Sequence, residues 1–302
     1  MKKLLKTAAV IISVIMTIAL TACGTDGKND TITIAYAPNE STEQSADARN
    51  GLVADLKAQL GLDVEEIQAT DYNAIIEALR TGKADIAYMG PLAIALGNER
   101  AGVEPIAMKA DNGDKSKAIY HSLLITNSKN TDINSIEDIK GRTIAFVDPD
   151  STSGNLVPTA EIIKAFPNEN LTSDRLHTNG DFFEAANYSG KHQAGLQAVI
   201  KGDVDVVPIS DQILASEIKN GNANEADIKV INTSGDIPAE GFVAAKDMDT
   251  ELKQKLQDFL ISYDNAEYFD KVIKNADARF VEAGIDDYKS IIELNKILNS
   301  GE

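Results

Sequence analysis

The chain has 302 residues, 43% of them hydrophobic, a single cysteine and no tryptophan. A formal charge of −18 with no basic run argues against nucleic acid as a partner, although a small anion can still be held by local amides and dipoles. One cysteine excludes an internal disulfide, so an exported domain of this size must be held by core packing.

Lys2, Lys3 and Lys6 precede an apolar run over 7–20 that is too short and too lightly flanked for a membrane span and reads as an export signal. The run closes on Leu20, Thr21, Ala22 and Cys23, the small-residue tetrad at which bacterial lipoproteins are cut and lipidated. Residues 1–22 are therefore expected as a lipoprotein signal peptide, leaving Cys23 diacylated at the new N-terminus; an ordinary secretory signal is the alternative. Residues 23–30 read as a flexible tether, and the mature protein is expected at the cell membrane, lipid-anchored on its extracytoplasmic face. Three lysines leave with the signal, so the charge moves from −18 to −21.

A strand is expected over 31–37, and Ser41, Thr42, Glu43 and Gln44 have capping-box spacing for a helix running to about Leu60. A second strand follows over 63–69. Thr70 is placed to cap a helix over 71–80, which Gly82 ends before a buried strand over 84–89. Pro91 suits the first turn of the next helix. Strands over 103–109 and 119–126 flank a polar loop, and a short capped turn at 135–141 feeds a strand over 142–148. A helix starting near 151–155, a strand around 175–179, a helix from His192, a strand over 204–209, a helix over 211–220 and a strand over 227–233 complete a second lobe. A strand over 242–245 follows, and the chain from Thr250 reads as largely helical.

The two lobes look like copies of one pattern. Residues 33–42 (TIAYAPNEST) are echoed at 143–152 (TIAFVDPDST), and 71–96 are echoed at 191–216. The second alignment puts Gly82 on Gly202, Asp85 on Asp205 and Tyr72 on His192. The expected fold is α/β with two lobes, mostly parallel sheets flanked by helices, and a cleft between them. Crossings near 124–127 and 234–240 assign 31–124 and 240–302 to lobe 1 and 125–239 to lobe 2. Ligands of such sheets gather at the carboxyl ends of the strands, where helices present free N–H groups.

Asp148, Pro149, Asp150, Ser151, Thr152, Ser153 and Gly154 lie where a strand exits and a helix begins. The three hydroxyls and the amides through Gly154 can hold a tetrahedral oxyanion without lysine or arginine; simple N-capping by Ser151 or Ser153 is the alternative. No Walker motif follows. Tyr72 and His192 open matching helices, which makes both candidates for the same ligand. Strand alternation aims Tyr120 at the cleft and His121 away from it, leaving His121 to a supporting or surface place. His177 has no pattern behind it. The three histidines lack metal-ligand spacing, and nothing suggests a positioned nucleophile, so neither a metal, a cofactor nor a catalytic residue is expected. Asp85 and Asp205 read as turn and strand-entry partners rather than paired catalytic acids.

At TDYNAIIEAL, KADIAYMGP, the strand with Tyr120, DPDSTSG, SGKHQAGLQAVIKGDVDVV and IPAEGFV, the chain resembles the substrate-binding proteins of phosphate, phosphite and phosphonate ABC importers. That resemblance covers residues 31 to about 291. It implies a type II periplasmic-binding-protein fold and a non-enzymatic, monomeric receptor. Such a receptor is expected to close on a phosphorus oxyanion and deliver it to a membrane permease driven by a separate ATPase. It also implies ligand contacts from Ser151, Thr152, Tyr72, Tyr120 and His192. Glu240 stands where the family usually has aspartate, and Gly241 follows it where proline is common, a change that could loosen that wall. A carboxylate there would accept from a P–OH or an ammonium on the cargo. A receptor for another small anion or organic solute, and an exported enzyme on the same scaffold, are the competing readings.

Overall fold

The computed structural model describes residues 31–39 and 43–300. The signal peptide, Cys23, the tether and the first two residues of the capping box at 41–44 therefore lie outside the described residues. From the N-terminal side run β1 (Thr31–Tyr36), α1 (Ala46–Leu60), β2 (Asp63–Gln68), α2 (Tyr72–Arg80), β3 (Ile86–Met89), α3 (Pro91–Ala101) and β4 (Glu104–Asp111). Then come β5 (Ile119–Tyr120), β6 (Ser122–Asn127), β7 (Thr143–Phe146), α4 (Val157–Ala165), α5 (Ser173–His177) and β8 (Ala185–Tyr188). They are followed by α6 (His192–Lys201), β9 (Val206–Ser210), α7 (Asp211–Lys219), β10 (Ile228–Thr233) and β11 (Ile237–Pro238). The chain finishes with β12 (Gly241–Ala244), α8 (Thr250–Ser262), α9 (Ala266–Lys271), β13 (Ala278–Glu282) and α10 (Lys289–Asn299).

The strands form two sheets, ordered β13-β4-β12-β3-β1-β2 and β10-β6-β9-β7-β8, with β5 and β11 paired as a separate two-stranded link. Each sheet contains a parallel trio, β3-β1-β2 and β9-β7-β8, extended on one side by antiparallel strands. The sheets are thus mixed rather than mostly parallel. The reason is topological: β12 returns from the second lobe and enters between β3 and β4, running against both. All of β6 belongs to the second sheet, so the chain changes sheet at His121, before the expected 124–127. Its return, through β11, falls at Ile237–Pro238.

Strand alternation divides the core. Ala35, Ala87 and Met89 face one side of the first sheet, while Ile34, Tyr36, Ile86 and Tyr88 face the other with Phe242 and Phe280. In the second sheet Ile144 and Phe146 pack opposite to Ala145, Val207 and Ile209. Asp85 and Asp205 occupy equivalent corners. Asp85 Oδ2 accepts from the Thr33 amide at 2.7 Å, and Asp205 Oδ2 from the Thr143 amide at 2.8 Å, fixing how each first strand enters its sheet.

Three local expectations change. The segment expected as a strand over 175–179 is helical, because Thr172 accepts from the Arg175 amide at 3.3 Å and starts α5. The C-terminal segment contains β13, which completes the edge beside β4. Asp71, not Thr70, caps α2, accepting from the Ala74 amide at 2.7 Å.

Gly241 tightens its wall instead of loosening it. A Cβ there would stand 2.3 Å from the Ala107 carbonyl oxygen and 2.9 Å from the Tyr288 hydroxyl, so β12 and β4 can approach only with hydrogen at this position. Gly241→Ala is expected to lower the free energy of unfolding by about 1–3 kcal/mol, as overpacking of a rigid site does. Denaturant unfolding that leaves the midpoint unchanged would show that the strands can separate without cost.

Candidate functional site

Three helix N-termini converge between the lobes, each with first-turn amides that the helix itself cannot satisfy. α2 uses Asp71 for Ala74, and its Tyr72 amide is taken by the Asp148 carboxylate of the opposite lobe. α3 begins after Gly90 and α6 after Lys191, and neither N-cap residue provides a side-chain acceptor. The acceptors cross the cleft. Thr152 Oγ1 accepts from the Leu92 amide at 2.8 Å, and Asn39 Oδ1 accepts from the His192 amide at 3.2 Å. Asn39 Nδ2 also donates to the Tyr72 hydroxyl, so this one side chain joins the starts of α2 and α6.

The structure brings Tyr72, Tyr120, Ser151, Thr152, Ser153, His192 and Glu240 around one cavity of about 20 Å³. Ala37, Asn39 and Gly90 complete its wall. The hydroxyls are firmly placed. Ser151 Oγ accepts from the Gly154 amide at 3.1 Å, which is N-capping, and its proton is left to donate elsewhere. The carbonyl of Ser153 accepts from Ser122 Oγ at 2.6 Å. Burial and the nearby Glu240 carboxylate push the Tyr120 phenol well above its ordinary range, so it stays a neutral donor beside Thr152 and Ser153.

Gly154 does not line the cavity. Its amide is used by Ser151, and a Cβ there would come within 2.4 Å of Val147. Glycine is needed because the π-helical turn Thr152–Leu156 lies directly on the end of β7. His121 also stands apart, with Nδ1 3.0 Å from Asp211 and Nε2 3.2 Å from Asp236, at the point where the chain changes sheet. Burial pulls its pKa down, but the two carboxylates outweigh that and leave it raised. His177 belongs to a separate groove, its ring stacked on Tyr188 and its Nε2 2.8 Å from Asn155.

Two residues of the site escaped the sequence reading. Asn39 follows a strand exit in the repeated segment, as Asp148 does, and both reach across to a helix start. Lys109 is the second. It is a lone charge in the otherwise apolar middle of β4, only 4% exposed, and its ammonium pairs with Glu240.

His192 is buried, and desolvation lowers its pKa from 6.5 to about 4, partly opposed by the Pro208 carbonyl. Nδ1 is buried without a hydrogen-bond partner, and Nε2 lies 3.4 Å from Ser153 Oγ. The neutral ring can therefore accept from Ser153 or, in its other tautomer, donate into the cavity.

The meeting of helix starts and hydroxyls from two α/β lobes around one cavity is the architecture of a solute-binding protein. Residues 34–288 match the family described as ABC transporter, phosphonate, periplasmic substrate-binding protein, and the chain belongs to that family. The role is thus the binding component of an importer rather than an enzyme. The chain is 28% identical over 249 residues to a phosphate-import protein of Mycolicibacterium smegmatis, covering 82% of this chain and 76% of that one. It is 31% identical over 214 residues to a phosphonates-binding periplasmic protein of Escherichia coli, covering 69% and 59%. Its fold superposes on the crystal structure of a binding-protein component of an ABC phosphonate transporter from Pseudomonas aeruginosa. That match has a TM-score of 0.76 and 28% identity over 89% of this chain and 86% of the other.

The lowered His192 pKa has a definite sign. Below pH 6.5 the unfolded chain takes up a proton that the folded site refuses until about pH 4, so stability contributed by the neutral ring is lost as pH falls through this window. The full loss is about 3 kcal/mol. Without added anion, unfolding free energy of the wild type should fall more steeply from pH 6.5 to 4.5 than that of His192→Asn. Parallel curves would mean that folding does not lower the ring's pKa.

Proposed function

We propose that the chain captures a small phosphorus oxyanion (phosphonate, phosphite or phosphate) between its lobes and passes it to a permease driven by a separate ATPase. The observation that carries this reading is the convergence of Tyr72, Tyr120, Ser151, Thr152, Ser153 and His192 on one cavity. All six are neutral donors or capable of acting as such, and helix dipoles add positive potential there. A tetrahedral anion uses such a shell from several directions at once. The phosphate and phosphonate named for the relatives lie in the same chemical class.

On this reading lobe 1 runs up to β5 and resumes after β11, and lobe 2 lies between them, which moves the first expected boundary (31–124 against 125–239) back to β5 and keeps the second near 240. Those two short strands are the only ladder between the sheets among the described residues, so they are where closure would bend. The receptor acts as a monomer held beside its permease by lipid on Cys23. The basis for the anchor is the Leu20–Cys23 tetrad alone.

Two measurements bear on this. Tyr72→Phe and Ser153→Ala each delete one hydroxyl and little else. A hydrogen bond to a charged group is worth about 1.5–3 kcal/mol, so each should weaken phospho-ligand binding by roughly ten- to more than a hundredfold. Calorimetric titration giving wild-type affinity for both would take those hydroxyls out of the ligand shell. Cys23→Ser should abolish lipidation and release the protein from the membrane fraction. An equally membrane-bound, lipid-free product from both genes, established by fractionation and mass spectrometry, would rule out the anchor.

A further inference from the structure

Glu240 is the cavity's acidic wall residue, and what it can read depends on what already holds it. Lys109 lies behind it on the neighbouring strand, where the Lys109 amide donates to the Glu240 carbonyl at 3.1 Å and the two side chains form an ion pair. Both are nearly inaccessible, with side-chain exposures of 5% for Lys109 and 12% for Glu240. An ammonium so deeply buried requires a counter-charge, and removing either partner would strand the other. The Lys109 ammonium also lies 5.8 Å from the centre of the Tyr120 ring, so a second wall residue of the cavity holds it in place. The pair has little freedom to open, because β4 and β12 are pressed together at Gly241, next to Glu240.

We propose that Lys109 is a specificity-determining positioning residue: it fills the role of cargo ammonium at Glu240 and so restricts the cleft to small phosphorus oxyanions without one. This inference rests on the phospho-oxyanion reading above and narrows it. An incoming ammonium would have to share one carboxylate with an internal ammonium already paired to Oε2, and would meet its positive charge across that group. That is selection by an unfavourable element as much as by a favourable one. A ligand carrying only P–O, P–H or P–CH₃ groups meets no such conflict. It finds Glu240 neutralised, so the carboxylate no longer repels it.

The test is calorimetric titration of the full chain with phosphate, phosphite, methylphosphonate, aminomethylphosphonate and 2-aminoethylphosphonate. Methylphosphonate and aminomethylphosphonate differ by one ammonium, which separates charge from bulk. The wild type should bind at least one ammonium-free ligand, and both amino ligands at least a hundredfold more weakly than the tightest of those. Lys109→Met should narrow that gap at least tenfold, because cargo ammonium can then supply the missing charge to Glu240, whereas Lys109→Arg should preserve the ranking. Should Lys109→Met fail to fold, the wild-type ranking and the arginine variant still decide. Amino ligands binding as tightly as methylphosphonate, or a gap unchanged in Lys109→Met, would overturn the role of Lys109 while leaving the phospho-oxyanion reading intact. Binding of none of the five would overturn both.

Discussion

The structure turns on helix N-termini that are not capped by their own neighbours. α3 follows a glycine and α6 follows a lysine, neither of which can offer an oxygen to the first-turn amides. In water those amides would be solvated, but here Leu92 and His192 are buried. Burying an unpaired N–H costs on the order of 1–3 kcal/mol, so each start needs an acceptor, and each finds it on the other lobe in Thr152 or Asn39. Closing the cleft is therefore part of completing these helices. The geometry also sets the site's chemistry, since dipole ends aimed at one place make it favourable to negative charge.

That local field answers the apparent conflict between an acidic protein and an anionic cargo. The formal charge of −18 is spread over the whole chain, and salt screens exposed charges beyond roughly 8 Å at physiological ionic strength. Inside the cleft the nearest carboxylates are individually occupied. Asp148 accepts from the Tyr72 and Asp150 amides, while burial, the larger influence, keeps its pKa raised. Glu240 is matched by Lys109. What remains facing the cavity is mainly hydroxyl, phenol and imidazole, groups that donate without adding charge. Polar neutrality suits a carrier that must also release what it binds, because a fixed cation against a dianion would hold it too firmly.

Much of this was legible in the sequence because the chain states its pattern twice. A glycine, an aspartate and a helix start recurring at constant spacing are constraints of backbone geometry, and they translate directly into Gly82 and Gly202 at positive φ and Asp85 and Asp205 at equivalent strand entries. Seven of the eight residues expected at a ligand site line one cavity, Tyr72 and His192 among them because they open the two matching helices. What stayed hidden depended on partners distant in sequence. Asn39 caps a helix that begins 153 residues later, and nothing around it announces the partner. Lys109 looks like a misplaced charge until β12 brings Glu240 beside it. Gly154 was read as an amide donor, although only the packing of β7 reveals that its missing side chain is the point. β13 and β8 are short edge strands whose pattern is overridden or supplied by the sheet they join.

One hydroxyl shows how closure and binding can coexist in so small a space. Thr152 Oγ1 spends a lone pair on the Leu92 amide across the cleft, yet as acceptor and donor at once it still has a proton to offer, to Tyr120 beside it or to a ligand. Ser151 divides its capacity in the same way between the Gly154 amide and the cavity. A carboxylate or an amide carbonyl in either place could cap but would then repel an anion, and a lysine could attract one but would leave the helix uncapped. Serine and threonine are the side chains small enough and two-sided enough to do both. Ser151 and Thr152 are thus suited to a joint demand, a helix start and an anion, that neither role alone would make.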